Sequence, residues 1–399
     1  MVSAVVSCVC LSDGKLDRGD MLAEVFKNIC VDMSLPGIEQ VAFSKIKGIT
    51  PETAGAILAA VGSEAEFFRM SERELAELAS AGSHIFAASY REGLLCEAEK
   101  ELDFVARNGI RCLYFRNQDY PARFQNVPDA PLLIYAKGDT DFNARCAVGI
   151  VGTRHATVYG QKLTRDLVAG LGELVGKDVV VVSGLAYGVD VAAHLAALEC
   201  GMPTVAVMAH GLDMIYPAQH RSVAADIVRR RGAVTTEYGC RTRVHRSNFL
   251  ARNRIIAALS DCTVVVESAF KGGALVTAKV AQNYGRDVFA FPGRVGDVYS
   301  EGCNTLIRKN VAALVTSASD VVDMMRWERS AKPVEKSLFI EYTKEEQAVV
   351  DCLQGRDLVQ INELSALLKM PVHKLLSVLF ELEFKGAVSV MPGNCYRLV

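Results

Sequence analysis

The feature that most constrains this chain is a regular alternation beginning near residue 146. CAVGIVGT reads as a strand and VYGQKLTRDLVAGLGELV as a helix. DVVVVSG, PTVAVMAHG, GAVTTEY, CTVVVESA, DVFAFPG and AALVTS follow as short β-rich runs, most of them separated by 10–15 residues of helical pattern. Parallel strands need a long crossover, usually a helix. Strands covered by helices on both faces become apolar along their whole length. The alternation therefore predicts an α/β fold, an extended Rossmann-like parallel sheet with helices on both faces.

The flanking segments follow other patterns. Residues 1–108 read as a helical domain, since LAEVFKNIC, ETAGAILAAV and SERELAELAS space apolar residues near the helical period. Thr50-Pro51 is a helix start. KIKGITPETAGAIL resembles half of a helix-hairpin-helix (or SAM-like) unit, whose turn can offer N–H groups to a phosphate. Thr50 stands where a second Gly is usual, so plain helix packing is the favoured reading and a phosphate contact the other. IRCLYF and the apolar run ending in LLIYAKG read as an extended lead-in to the alternating domain, expected over 109–327. A charged, Pro-containing linker is expected at 328–337. Residues 338–399, three helical runs and two strands, fit a small C-terminal winged-helix domain.

Charge narrows where a polyanion could bind. The formal net charge of −2 conceals an asymmetry: residues 1–140 carry 14 basic and 20 acidic side chains, residues 141–337 carry 24 and 18, and residues 338–399 carry 6 and 8. Only the middle block is cationic. No apolar run reaches the ~20 residues of a membrane span, and the N-terminus has no basic residues ahead of its apolar stretch, a poor signal peptide. Twelve cysteines lie scattered without metal or disulfide spacing, which is expected of reduced thiols in a cytoplasmic protein.

In open parallel sheets ligands bind beyond the carboxyl ends of the strands, so the residues there carry most weight. Gly152-Thr153-Arg154 follows the first strand of the alternation, Ser183-Gly184 the second, His210-Gly211 the third and Glu267 then Lys271-Gly272-Gly273-Ala274 the fifth. Glycines admit a phosphate close to the backbone, the helix that follows offers its N-terminus, and Arg154 adds a fixed cation. Between Arg229 and Arg254 stand eight arginines and one acid, Glu237. Arg252 and Arg254, in NFLARNRIIAALS, are expected to bind phosphate, and Phe249 either stacks on a base or packs as core. The GxGxxG fingerprint and its acidic ribose ligand are missing, which argues against a nicotinamide enzyme. Ser183, Asp190 and His194 lack a nucleophile elbow, so His194 is expected to pack, and Asp190, Asp213 and Glu267 to brace loops. No metal or cofactor site is expected.

Taken in order, VGTRHATVYG, SGLAYGVDVAAH, HGLDMIYPAQH, NFLARNRIIAALSD, KGGALVTAKVA, VFAFPGR and GCNTLIRKN resemble the motifs of the DNA processing protein A (DprA/Smf) family over about residues 110–320. The resemblance implies a single-stranded DNA-binding protein without known catalysis. Such a protein protects incoming DNA in natural transformation, helps load the RecA recombinase and works as a homodimer. Carried over by motif, the implied DNA contacts are Gly152, Thr153, Arg154, Ser183, Gly184, Phe249, Arg252, Arg254, Gly272, Gly273 and Ala274. Tyr187 stands where the family often has Arg, Leu250 where Pro often follows the NF pair, and Gly273-Ala274 replaces a common Gly-Ser. The acidic C-terminal block suggests partner contact or regulation rather than DNA grip. The rival is a Rossmann-like nucleoside-monophosphate phosphoribohydrolase, which KGGALVT resembles, although the expected catalytic Glu is absent.

Overall fold

A computed structural model describes residues 35–79, 84–330 and 342–398, apart from positions 355, 357, 386 and 392. The N-terminal stretch with Cys8 and Cys10, the run LAEVFKNIC and most of the expected linker lie outside the described residues. The chain forms two compact units, Met1–Ser330 and Ala331–Val399.

In the first unit, helices α1 (Ile38–Ser44), α2 (Pro51–Val61), α3 (Glu64–Arg69), α4 (Glu72–Ala79) and α5 (Ala88–Asn108) precede the antiparallel pair β1 (Arg111–Tyr114) and β2 (Leu133–Gly138). The alternation follows as β3 (Ala147–Val151), α6 (Val158–Leu174), β4 (Val180–Ser183), α7 (Val189–Glu199), β5 (Thr204–Val207), α8 (Arg221–Arg229) and β6 (Ala233–Thr236). It continues through α9 (Arg246–Ala258), β7 (Cys262–Val265), α10 (Gly273–Asn283), β8 (Asp287–Ala290), α11 (Glu301–Arg308), β9 (Ala313–Leu314) and α12 (Ala318–Met324).

All nine strands form one sheet in the order β1-β2-β6-β5-β4-β3-β7-β8-β9. Strands β3 to β9 run parallel, and β2 joins β6 antiparallel. Each strand expected between 146 and 316 is present. The lead-in supplies the two strands its apolar runs suggest, and these pair onto the edge of the same sheet, which the sequence did not indicate. The valines of β4 show why the parallel strands are apolar throughout. Val180 and Val182 pack with Ile255 and Ala278 on one face, and Val181 with Leu171 and Ala193 on the other. Each such side chain contributes about 1.5–3 kcal/mol by burial.

The helical segment shares a core with the sheet edge, where Phe43, Phe67 and Leu94 pack on Tyr114, Leu133 and Tyr135. Its Glu101 is buried. One carboxylate oxygen accepts the Cys240 N–H at 2.7 Å, and the other accepts from Lys45 Nζ at 3.3 Å. At the α1–α2 hairpin the start of α2 is capped locally. Thr50 N donates to Thr53 Oγ1 at 2.8 Å and Thr53 N to Thr50 Oγ1 at 3.3 Å, so a capping box closes the α2 N-terminus.

The second unit contains α13 (Lys344–Leu353), β10 (Val359–Gln360), α14 (Ile361–Leu368), α15 (Val372–Phe384), β11 (Val388–Met391) and β12 (Cys395–Leu398). Val349, Leu353, Leu364, Leu375, Leu379 and Tyr396 make its core. This is the expected winged helix, with the two-residue strand β10 added beside β12.

Candidate nucleic-acid interface

The chain lays down β3 to β6 in one direction and then returns to place β7 on the other side of β3. Loops leaving β3 and β7 therefore diverge, and the crevice between them is the favoured ligand site of such sheets. A cleft of about 690 Å³ opens there. Gly152, Thr153 and Arg154 form one lip, and Lys271, Gly272 and Gly273 form another at the start of α10. The third wall is α9, which presents Arg246, Phe249, Leu250 and Asn253. Those positions are spaced i, i+3, i+4 and i+7, one stripe of a helix.

The rim is cationic and partly aromatic. Arg154, Arg246 and Lys271 are exposed, and none has an ion-pair partner among the described residues. The Arg154 guanidinium lies over the Phe249 ring at 5.2 Å, and that ring also meets Tyr216 at 5.9 Å. Stacking of this kind fixes the cation at the lip and leaves its N–H fork available.

Arg252 belongs to the floor. It is 4% exposed. Its Nη1 donates to the Gly184 carbonyl at 2.7 Å and to the Val207 carbonyl, while Nε is buried without a partner. Gly184 has to be glycine, because a Cβ there would stand 2.3 Å from this guanidinium. Buried Asp190 also lines the cleft. Burial pushes its carboxyl above the ordinary range against the pull of Arg252, and burial likewise lowers Arg252. Beneath them, burial and then the charge of Arg252 bring His194 down to about 3. His194 is therefore neutral, and its Nδ1 meets Thr204 Oγ1 at 2.7 Å.

One expected feature is reversed. The N-terminus of α6, expected to face phosphate, is occupied by buried Glu267. Its carboxylate accepts the Thr157 N–H at 2.9 Å and the Thr157 hydroxyl. Gly160 makes room, since a Cβ there would lie 2.1 Å from that carboxylate. The anion receptor that stays open is the start of α10, where N-cap Gly272 has no side chain and a Cβ on Gly273 would meet nothing.

Of the eleven expected DNA contacts, the cleft brings together Gly152, Thr153, Arg154, Phe249, Arg252, Gly272, Gly273 and Ala274. Three do not line it. The Ser183 hydroxyl is fully buried and donates to the Ile150 carbonyl at 2.7 Å, which also removes it as a nucleophile. Gly184 is committed to Arg252. Arg254 points away, bonded to the Asp129 carbonyl and paired with the Glu237 carboxylate. The reason is helical geometry: residues two apart on a helix diverge by about 200°, so Arg252 and Arg254 cannot serve one cleft. Arg246 and Asn253, left out of the expected set, were recoverable from their spacing with Phe249, and Lys271 from its place beside Gly272. Among the described residues no cluster suited to a metal ion occurs, and no helix is long and apolar enough to cross a membrane.

Comparison with known proteins follows the same lines. Residues 111–326 match the family model for DNA recombination-mediator protein A, and residues 330–394 that for the DprA winged helix domain. A Mycobacterium tuberculosis protein described as a putative DNA processing protein DprA is 36% identical over 313 residues, 74% of this chain and 79% of its own. Protein Smf of Escherichia coli is 32% identical over 286 residues, covering 70% of this chain and 75% of its own. The crystal structure of DprA from Streptococcus pneumoniae superposes with a TM-score of 0.59 at 30% identity, covering 72% of this chain and 98% of that one. The chain belongs to the DNA recombination-mediator protein A family, that of the DprA and Smf proteins.

Proposed function

We propose that the cleft at the β3/β7 crevice holds single-stranded DNA. The observation that carries this reading is the grouping of Arg154, Arg246 and Lys271, without acidic partners among the described residues, around the open α10 N-terminus and the Phe249 ring. Cations and backbone N–H groups meet phosphates, and an aromatic face accepts an unpaired base. Contacts of this type carry little sequence information, so binding is nearly indifferent to sequence.

The test compares single- and double-stranded oligonucleotides in a gel shift with the wild type and Arg154→Ala. Affinity for single strands falls steeply between about 50 and 300 mM salt, and losing one phosphate contact lowers the log–log salt slope by about 0.7. Salt-independent binding, or a folded Arg154→Ala protein of unchanged affinity and slope, would sink the reading.

Family membership supports the wider role, in which the protein shields incoming DNA during transformation and, as a homodimer, helps load RecA. Co-precipitation of RecA with and without DNA tests that role. Recovery only through DNA, lost on nuclease treatment, would count against a loading contact.

A further inference from the structure

A second groove, of about 940 Å³, opens beside the cleft. Thr157, Val158 and Tyr159 line one side and residues 292–294 and 296–300, after β8, the other. The two depressions share their walls. The segment 152–159 borders both, and so does the loop after β7, with Glu267 in the groove and Ser268 in the cleft.

The groove differs from the cleft in chemistry. Val158 is 83% exposed, Val298 63% and Tyr159 52%, an unusual density of uncovered apolar surface. The His155 and Tyr299 rings, one on the segment shared with the cleft and one on the opposite side, lie nearly parallel at 6.3 Å and 29°. The exposed Arg294 is a single cation without an ion-pair partner among the described residues. A strand leaving the cleft meets ring faces and apolar ledges here, with the one cation offset by the exposed Asp297 carboxylate, so bases rather than phosphates are what the groove can hold. An apolar protein segment would also fit valines. The ring pair, which starts on the segment continuous with the phosphate-binding lip, and the Arg294 cation favour nucleotides.

We propose that this groove carries the continuation of the bound single strand, gripping its bases by stacking on Tyr159 while the cleft holds its phosphates. The inference rests on the cleft reading above. The two sites differ in what they add: the cleft contributes salt-sensitive affinity, the groove an increment insensitive to salt and present only when the strand is long enough to reach it.

The experiment is fluorescence anisotropy on the full chain with oligothymidylates of about 4 to 20 nucleotides, a range spanning common single-strand site sizes. Tyr159→Ala is expected to leave the shortest binding oligomer unaffected and to weaken the longest about tenfold, the loss of one stacked base. Its salt slope stays that of the wild type, and Tyr159→Phe restores affinity because the ring remains. Equal loss at every length, no loss at any length, or failure of Phe to rescue would overturn the groove as a strand site. Arg154→Ala weakens every length, so failure of the cleft itself is recognised separately.

Discussion

Arg154 and Arg252 carry the same charge into the same cleft, yet their surroundings give them different work. Arg154 stands at the lip on an aromatic ring, in water, and removing it leaves nothing buried without a partner. Arg252 ties the loops after β4 and β5 together through two carbonyls and supplies the positive charge nearest buried Asp190. Arg252→Met is therefore expected to destabilise the fold by about 3–5 kcal/mol, the usual result of stranding a buried charge. Arg154→Ala shifts stability by no more than about 0.5 kcal/mol, as surface changes do. Urea unfolding of the two variants checks this, and equal stabilities would contradict the division. Much of it was legible beforehand. The RNR run advertised cations, but only its placement on one helix shows that the two arginines diverge. What no local pattern contained was the inward turn of Arg252, which depends on Gly184 and Val207 arriving from other strands.

At the scale of elements, helix ends decide which polar groups remain for ligand. Glu267 fills the start of α6, whereas α10 begins with glycines and stays open. Both helices begin after glycine-rich turns, so sequence alone treated them alike. The difference is made by a carboxylate more than 100 positions away from Thr157, as the 110-residue separation of that bond records. In the second unit α13 is closed by its own sequence, through the Thr343–Glu346 capping box. There Lys385 Nζ also meets Glu346 at 2.7 Å. The Lys385 hydrogen bond, then the Thr343 N–H, hold Glu346 below its usual 4.5. A carboxyl with a folded-state pKa below the unfolded one contributes its stability in full above about pH 4.5, and loses it as pH falls through the folded value. Glu346→Gln should therefore lower the stability of the winged helix by about 1 kcal/mol at pH 7, since the carboxylate is buried but its Lys385 partner is partly in water. The gap should be smaller at pH 3 than at pH 7. Thermal melts at the two pH values read this out, and a deficit equally large in acid would contradict it.

For the whole molecule, the period of strands and helices was the most readable feature, because every crossover repeats the same local code. The joining of β1 and β2 to the sheet was not readable, since edge pairing is fixed by partners distant in sequence, such as Tyr135 opposite Thr236. The distribution of charge was informative at this scale too. Every cation of the cleft lies in the first unit, while on and beside α15 Lys374 is paired with Glu345 and Lys385 with Glu346. A chain ending at Ser330 should keep the single-strand affinity and salt slope of the full protein. A slope smaller by about 0.7 or more would reveal a phosphate contact in the removed unit.

The Glu101 carboxylate reaches out of α5 to hold the backbone at Cys240, immediately before the arginines that lead into α9. The helical segment thereby acts as a tether on the arm that delivers Arg246. Without it the arm would rest on Asp213, which accepts the Arg241 N–H, and on the Gly211 N–H at the Thr242 carbonyl, and an encounter with a strand would have to immobilise more of it, at an entropic cost the intact chain has met in advance of any ligand.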